Sequence, residues 1–269
     1  MALIVPIADP DDPRIAAFRQ VRERDVAGRE GRFIAEGEVV LRMLLTGARH
    51  RAAALLIADK RIEGLAALLA LTGEDIPVYS AAQPVMDAVA GFHIHRGILA
   101  LGVREPEPDP EALLASLGPR ALVLALFGIA NHDNMGGLFR NAAAFGVGAV
   151  LLDSTCCDPL YRKAIRVSVG AALTVPYARL QAGQDAVALL QSLGFEAFAL
   201  SPAGAIDLPA VVRPARAALL LGAEGPGLDA EVLARATAVA IRMTPGLDSL
   251  NVATASGIAL HHLAFGSGA

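Results

Sequence analysis

Hydrophobic positions along this chain form two series of alternating segments, parted by a charged, proline-rich seam. Before the seam, the pattern predicts helices over 14–25 and 37–46, the second starting after Gly37 and ending at Gly47. A buried strand follows at 52–58, then a helix at 62–71, a short strand at 77–79, a helix at 82–90 and a strand at 98–103. The seam, Arg104 to Pro110, carries three prolines and four charges in seven residues and can continue neither a helix nor a central strand. Beyond it, 121–129 is an unbroken apolar run, the mark of a strand covered on both faces. Strands at 148–152, 173–177, 197–200, 217–221 and 238–241 then alternate with helices at 135–145, 159–171, 184–193, 229–235 and 250–264. This alternation predicts an α/β fold: a small α/β domain over 1–104, a linker and lead-in over 105–118, and a parallel sheet sandwiched by helices over 119–269.

Composition narrows the class. Hydrophobic residues make up 54% of 269, enough for a substantial core, while aromatics are 4% and Trp is absent, so the core is built from Ala, Val, Leu and Ile. No apolar run reaches the length of a membrane span. Met1 to Ala8 is apolar but lacks a basic lead and runs into an Asp/Pro cluster, which is not a signal peptide. Adjacent Cys156 and Cys157 have no ligand set at metal spacing, so reduced structural thiols, no metal and a cytoplasmic location are expected. The net charge of −4 argues against a nucleic-acid partner, but the distribution is uneven. Between Arg14 and Arg51 stand nine arginines against five acids, and the chain's lysines are Lys60 and Lys163 alone. These arginines suit an RNA-contacting face and equally a solvated face laced with ion pairs.

Three unusual stretches fall where ligands bind in such sheets, beyond the carboxyl ends of strands. The first runs from Asn134 through Gly136, Arg140 and Ala142 to Phe145-Gly146. Asn134 can cap the helix, and Arg140, six residues on, is expected to share its side. The second, Leu221-Gly222-Ala223-Glu224-Gly225-Pro226-Gly227, frees the backbone for close approach to a ligand, and backbone N–H groups could satisfy Glu224. The third passes from Ile241 and Met243 through a Pro-Gly turn to Ser249-Leu250-Asn251 at a helix start. Singly, they could be a capped helix, a tight turn and a helix N-terminus. The glycine run is neither a dinucleotide fingerprint nor a phosphate loop.

Together and in this order, the three stretches resemble the motifs of the SpoU (TrmH-type) RNA 2′-O-ribose methyltransferases of the SPOUT superfamily. Arg166-Val-Ser168-Val-Gly170-Ala171 is similar to another segment of that family, and the resemblance spans about 120–265. Arg242 departs from it, standing where the family has Pro. Phe33 to Glu38 and His95 to Ile98 resemble parts of the family's auxiliary, ribosomal-protein-like RNA-binding domain. The resemblance implies a deep trefoil knot in the carboxyl-terminal domain and a homodimer that completes the site across its interface. It implies S-adenosyl-L-methionine as cofactor, held largely by backbone at Leu200, Gly222, Ile241 and Leu250, and rRNA or tRNA as substrate. Arg140 is then the catalytic residue. Asn134 orients it or the ribose, Ser249 and Asn251 hold the nucleotide and the arginine, and Glu224 pins the glycine loop. A guanidinium stays charged in proteins, so clamping a phosphate and stabilising the developing alkoxide suit Arg140 better than general-base work. His93, His95, His132, His261 and His262 are expected to be structural or surface residues. Two alternatives remain: a catalytically silent RNA-binding member of the same fold, against which the intact polar set speaks, and an NAD-dependent oxidoreductase, against which the missing G-x-G-x-x-G speaks.

Overall fold

The computed structural model describes residues 3–19, 31–244, 246 and 249–266. The chain divides into two compact units, Met1–Pro106 with Leu160–Thr174, and Glu107–Pro159 with Val175–Ala269.

The first unit is built on a mixed five-stranded sheet. Its strands are β1 (Ile4–Ile7), β2 (Arg32–Glu36), β3 (Arg51–Ala58), β4 (Val78–Ala81) and β5 (Ile98–Val103), ordered β1-β4-β3-β5-β2. β1, β4 and β3 run parallel, and β5 runs antiparallel to β3 and β2. Helices α1 (Glu38–Thr46), α2 (Asp59–Ile62), α3 (Ala66–Leu69) and α4 (Gln83–Ala90) connect them. One core, with Ile15, Phe18, Leu56, Met86 and Leu99 buried in it, lies against this sheet. Of the helix predicted over 14–25, Pro13–Phe18 forms a 3-10 turn capped by Asp12. Residues 20–25 of that predicted helix, with Arg22, Arg24, Glu23 and Asp25, lie outside the described residues, as do Arg29 and Glu30.

In the second unit, Asp109 caps a short helix, α5 (Pro110–Ala115), which opens on proline because the first helical residue needs no N–H partner. Seven parallel strands follow: β6 (Ala121–Leu126), β7 (Ala149–Leu152), β8 (Tyr177–Arg179), β9 (Glu196–Leu200), β10 (Ile206–Asp207), β11 (Arg216–Leu221) and β12 (Thr237–Ala240). Their order is β10-β12-β9-β11-β6-β7-β8. Every residue of β6 and β7 is buried, which explains their unbroken apolar sequence. The helices of this unit also include α6 (His132–Ala144), and later Ala186–Ser192, Ala230–Arg235 and Val252–Phe265.

Between β7 and β8 the chain contributes helices α7 (Arg162–Val167) and α8 (Ala171–Thr174) to the first unit. The strand predicted at 173–177 therefore begins only at Tyr177, since 171–174 is helical. A short apolar run fits either state, and tertiary packing decides. The remaining helices are numbered α9 (Ala186–Ser192), α10 (Ala230–Arg235) and α11 (Val252–Phe265).

Candidate active site

The carboxyl ends of β9, β11 and β12 open onto a cavity of about 490 Å³. Leu200, Gly222, Glu224, Ile241, Ser249, Leu250 and Asn251 all line it. So do Ser201, Pro202 and Ala255, which the sequence had not singled out. The size falls within the usual range for small-molecule sites. Glycine is required at 222, because a Cβ there would stand 2.2 Å from the backbone carbonyl carbon of Gly227. The loop thus folds back on itself, closed by Gly227 N–H donating to the Ala223 carbonyl at 3.0 Å.

Asn251 is the hub of the polar side. Its Oδ1 caps α11 by accepting from the Ala253 and Thr254 N–H groups at 2.9 and 3.3 Å. Its Nδ2 donates to Asn134 Oδ1 at 2.9 Å and to Glu224 Oε1 at 3.0 Å. One amide therefore joins the first turn of α6, the glycine loop and the start of α11, with its whole hydrogen-bonding capacity used. Glu224 is exposed and is held by this side chain, whereas the sequence suggested backbone donors.

Two expectations about α6 are corrected. The cap is Asn131, whose Oδ1 accepts from the Asp133 and Asn134 N–H groups; Asn134 lies inside the first turn. Arg140 does not share the Asn134 side: Asn134 is 8% exposed, whereas Arg140 faces solvent and does not line the cavity. At about 100° per residue, six residues leave the two roughly 120° apart. Asn141, seven residues on, returns to that side. Its Nδ2 donates to the Ala253 carbonyl at 2.6 Å and the Ser256 hydroxyl at 2.8 Å, fastening α6 to α11. The seven-residue spacing from Asn134 could have flagged it.

The loop leading into α6 is braced from β7. Asp153 Oδ2 accepts from the Gly128 N–H at 3.0 Å, and Arg179 donates to the Asp153 and Cys156 carbonyls. Neither cysteine forms a disulfide. Burial, reinforced by Asp153, pushes the Cys156 thiol up to about 12, so it stays protonated and serves packing. Arg242 pairs with Asp207 where β12 ends, so the residue that departs from the family pattern ties that exit to β10.

These features define a class: α/β proteins with a parallel sheet and a ligand cavity at its carboxyl edge. The structure of an AdoMet-bound rRNA methyltransferase from Sinorhizobium meliloti shares the fold, with a TM-score of 0.79 over 97% of each chain at 22% identity. The family model described as SpoU rRNA Methylase matches residues 121–261. An uncharacterized tRNA/rRNA methyltransferase of Mycobacterium bovis is 43% identical over 265 residues, covering 95% of this chain and 90% of its own. The 23S rRNA (guanosine-2′-O-)-methyltransferase RlmB of Salmonella typhi is 31% identical over 208 residues, 75% of this chain and 84% of its own. The chain belongs to the SpoU rRNA methylase family of RNA methyltransferases, as its motifs suggested.

Proposed function

We propose that this chain transfers a methyl group from S-adenosyl-L-methionine to the 2′-hydroxyl of a ribose in rRNA or tRNA. The observation that carries this reading is the cavity itself. The four residues expected to hold the cofactor line it together, and the Asn251 amide connects its rim to Asn134. The residues fit such a group: Leu200, Ile241 and Leu250 offer apolar surface, and the backbone around Gly222 is open to close approach. When bound there, the sulfonium cofactor supplies an activated methyl group. The protein's share is positioning, exclusion of water and stabilisation of charge on the attacking oxygen.

Asn251 holds Asn134 and Glu224 at fixed separation, so the ribose side and the cofactor loop are positioned as one piece. Arg140 remains charged, clamps the phosphate beside the target ribose and stabilises the developing alkoxide. Arg140 is exposed and does not line its own chain's cavity, and in this reading it completes the site of a second copy in a homodimer. An exposed aromatic and aliphatic face on α6 and α11 supports that assembly. Phe265 is 65% and Ile258 42% exposed, and Phe145, His261 and Phe265 stack edge to face. The knot that the family resemblance implies belongs to this carboxyl-terminal unit, whose sheet places β11 between β9 and β6. The first unit binds RNA and the second carries the chemistry.

Incubating the protein with methyl-labelled cofactor and bulk RNA tests the reading. Label in RNA is expected, and its absence favours the silent RNA-binding alternative.

A further inference from the structure

Helices α6 and α11 are joined at two points. At the cavity end, Asn251 Nδ2 donates to Asn134 Oδ1 at 2.9 Å. The second point lies seven residues along α6, on the same side and about two turns, or roughly 10 Å, away. There the Asn141 amide donates to the Ala253 carbonyl at 2.6 Å and to the Ser256 hydroxyl at 2.8 Å. Ser256 is fully buried and itself donates to the Ala253 carbonyl at 2.8 Å, so the three groups close a ring. Between the two points the helices touch: a Cβ at Gly137 would stand 2.7 Å from Ala253 Cβ.

Ala253 is where the two points meet. Its N–H is held by Asn251 Oδ1 at 2.9 Å and its carbonyl by Asn141. A single hydrogen bond to Asn134 leaves α11 free to turn about that contact, and the second point removes this freedom. What depends on it is the aim of the Asn251 amide, which must reach Asn134 at 2.9 Å and Glu224 at 3.0 Å at once. Hydrogen bonds weaken steeply with misalignment, so a small turn of α11 costs one of the two. Asn141 does not line the cavity, and both amide hydrogens are used inside the helix pair, which leaves none for a substrate.

We propose that Asn141 is a positioning residue for methyl transfer: it sets the turn of α11 about its own axis and thereby the aim of the Asn251 amide. This role rests on the methyltransferase reading proposed above and extends it to a residue that acts through α11, not on the substrate. A residue that only glues two helices together contributes to stability whatever stands at 251. A positioning residue contributes to rate only while Asn251 is there to be aimed, and the effects of residues that act as a unit do not add.

The test uses the full chain, methyl-labelled S-adenosyl-L-methionine and bulk RNA, with single-turnover rates measured well below the melting transition. Asn141→Ala should slow transfer by at least about tenfold, because small misplacements at a site are costly, while the RNA concentration giving half-maximal rate stays within about twofold. Ser256→Ala keeps the Asn141 bond to the Ala253 carbonyl and should slow transfer less, by about threefold. In an Asn251→Ala background, neither substitution should slow transfer further, although each still lowers the thermal midpoint. Losses that multiply in Asn141→Ala/Asn251→Ala overturn the positioning role and leave Asn141 a packing residue, as does a wild-type rate in Asn141→Ala. If Asn141→Ala fails to fold, Ser256→Ala and Ser256→Ala/Asn251→Ala carry the same comparison, with the same two results overturning the role. A wild type that labels no RNA overturns the methyltransferase reading, and this role with it.

Discussion

The cavity end of the seven-stranded sheet and the open end of the five-stranded sheet are built from different chemistry. At the cavity, the connections are neutral or singly charged: an asparagine amide shared between Asn134 and Glu224, a glycine whose missing side chain lets two backbone strands touch, and apolar side chains from three loops. At the open end, ion pairs, a guanidinium over a ring and exposed imidazoles dominate. The difference suits the roles proposed for the two units, RNA binding for the first and cofactor binding for the second. A small ligand enclosed on several sides is held by backbone and short amides, which lose little entropy and leave no charge unpaired. A polyanion meeting an open surface is held by long cationic side chains that release its counterions.

Breaking the hub should have the largest effect. Asn251→Asp keeps an oxygen to cap α11 but removes both donors and places a carboxylate beside Glu224. Methyl transfer should fall roughly 10²-fold, the usual cost of a lost stabilising donor at an active site. Because two close carboxylates share a proton, part of the loss should return as pH is lowered. Single-turnover rates across pH would show this. Asn251→Ala, which loses the cap together with both donors, gives no such rescue, and the lost cap alone costs about 1 kcal/mol of stability.

Next comes Gly222→Ala. Its Cβ collides with backbone at Gly227, so the loop must shift, at about 1–3 kcal/mol, and cofactor affinity should fall with it. Calorimetry and thermal melts check both parts. The open end should respond differently, as Asp87→Asn illustrates. The folded-state pKa of Asp87 is lowered from 3.8 to about 2, so the folded state binds fewer protons between those values. The stabilisation is full above pH 3.8 and is lost as pH falls through about 2. Asp87→Asn should flatten this acid limb of the stability curve and leave cofactor affinity unchanged. The smallest effect belongs to Arg242→Pro. Arg242 is largely exposed, so losing its pair with Asp207 should alter stability by less than about 1 kcal/mol in chemical denaturation.

Much of the architecture was legible because burial writes itself into sequence. The apolar run of β6 and the glycine-bounded α1 stand close to where the pattern placed them. β1 and β2 were missed as strands because they are short and mix charge or proline with apolar residues, and edge positions tolerate that. Nothing local announces that 160–174 packs with the first unit, since that depends on partners such as Glu36 and Met43, more than a hundred residues away. At the site, the motif residues around the cavity were legible through their order along the chain. The cap at Asn131 and the clamp at Asn141 were not, because their roles appear only when α6 is set against its own start and against α11. Arg140 does not share the side of Asn134, because six residues of helix leave the two roughly 120° apart.

The most direct test of the account is where the label goes. The protein is incubated with methyl-labelled S-adenosyl-L-methionine and bulk RNA, and the RNA is then hydrolysed in alkali, which cannot cleave beside a methylated 2′-oxygen. The account predicts label in alkali-stable dinucleotides. It predicts loss of that label in Arg140→Ala and in Arg140→Lys, because a point charge cannot replace a planar fork. Cofactor affinity in both variants should stay within about twofold of wild type, as expected for a group that acts on the ribose and phosphate alone. Label in mononucleotides, which marks a methylated base, would contradict the account, as would an Arg140→Ala variant that still labels the dinucleotides.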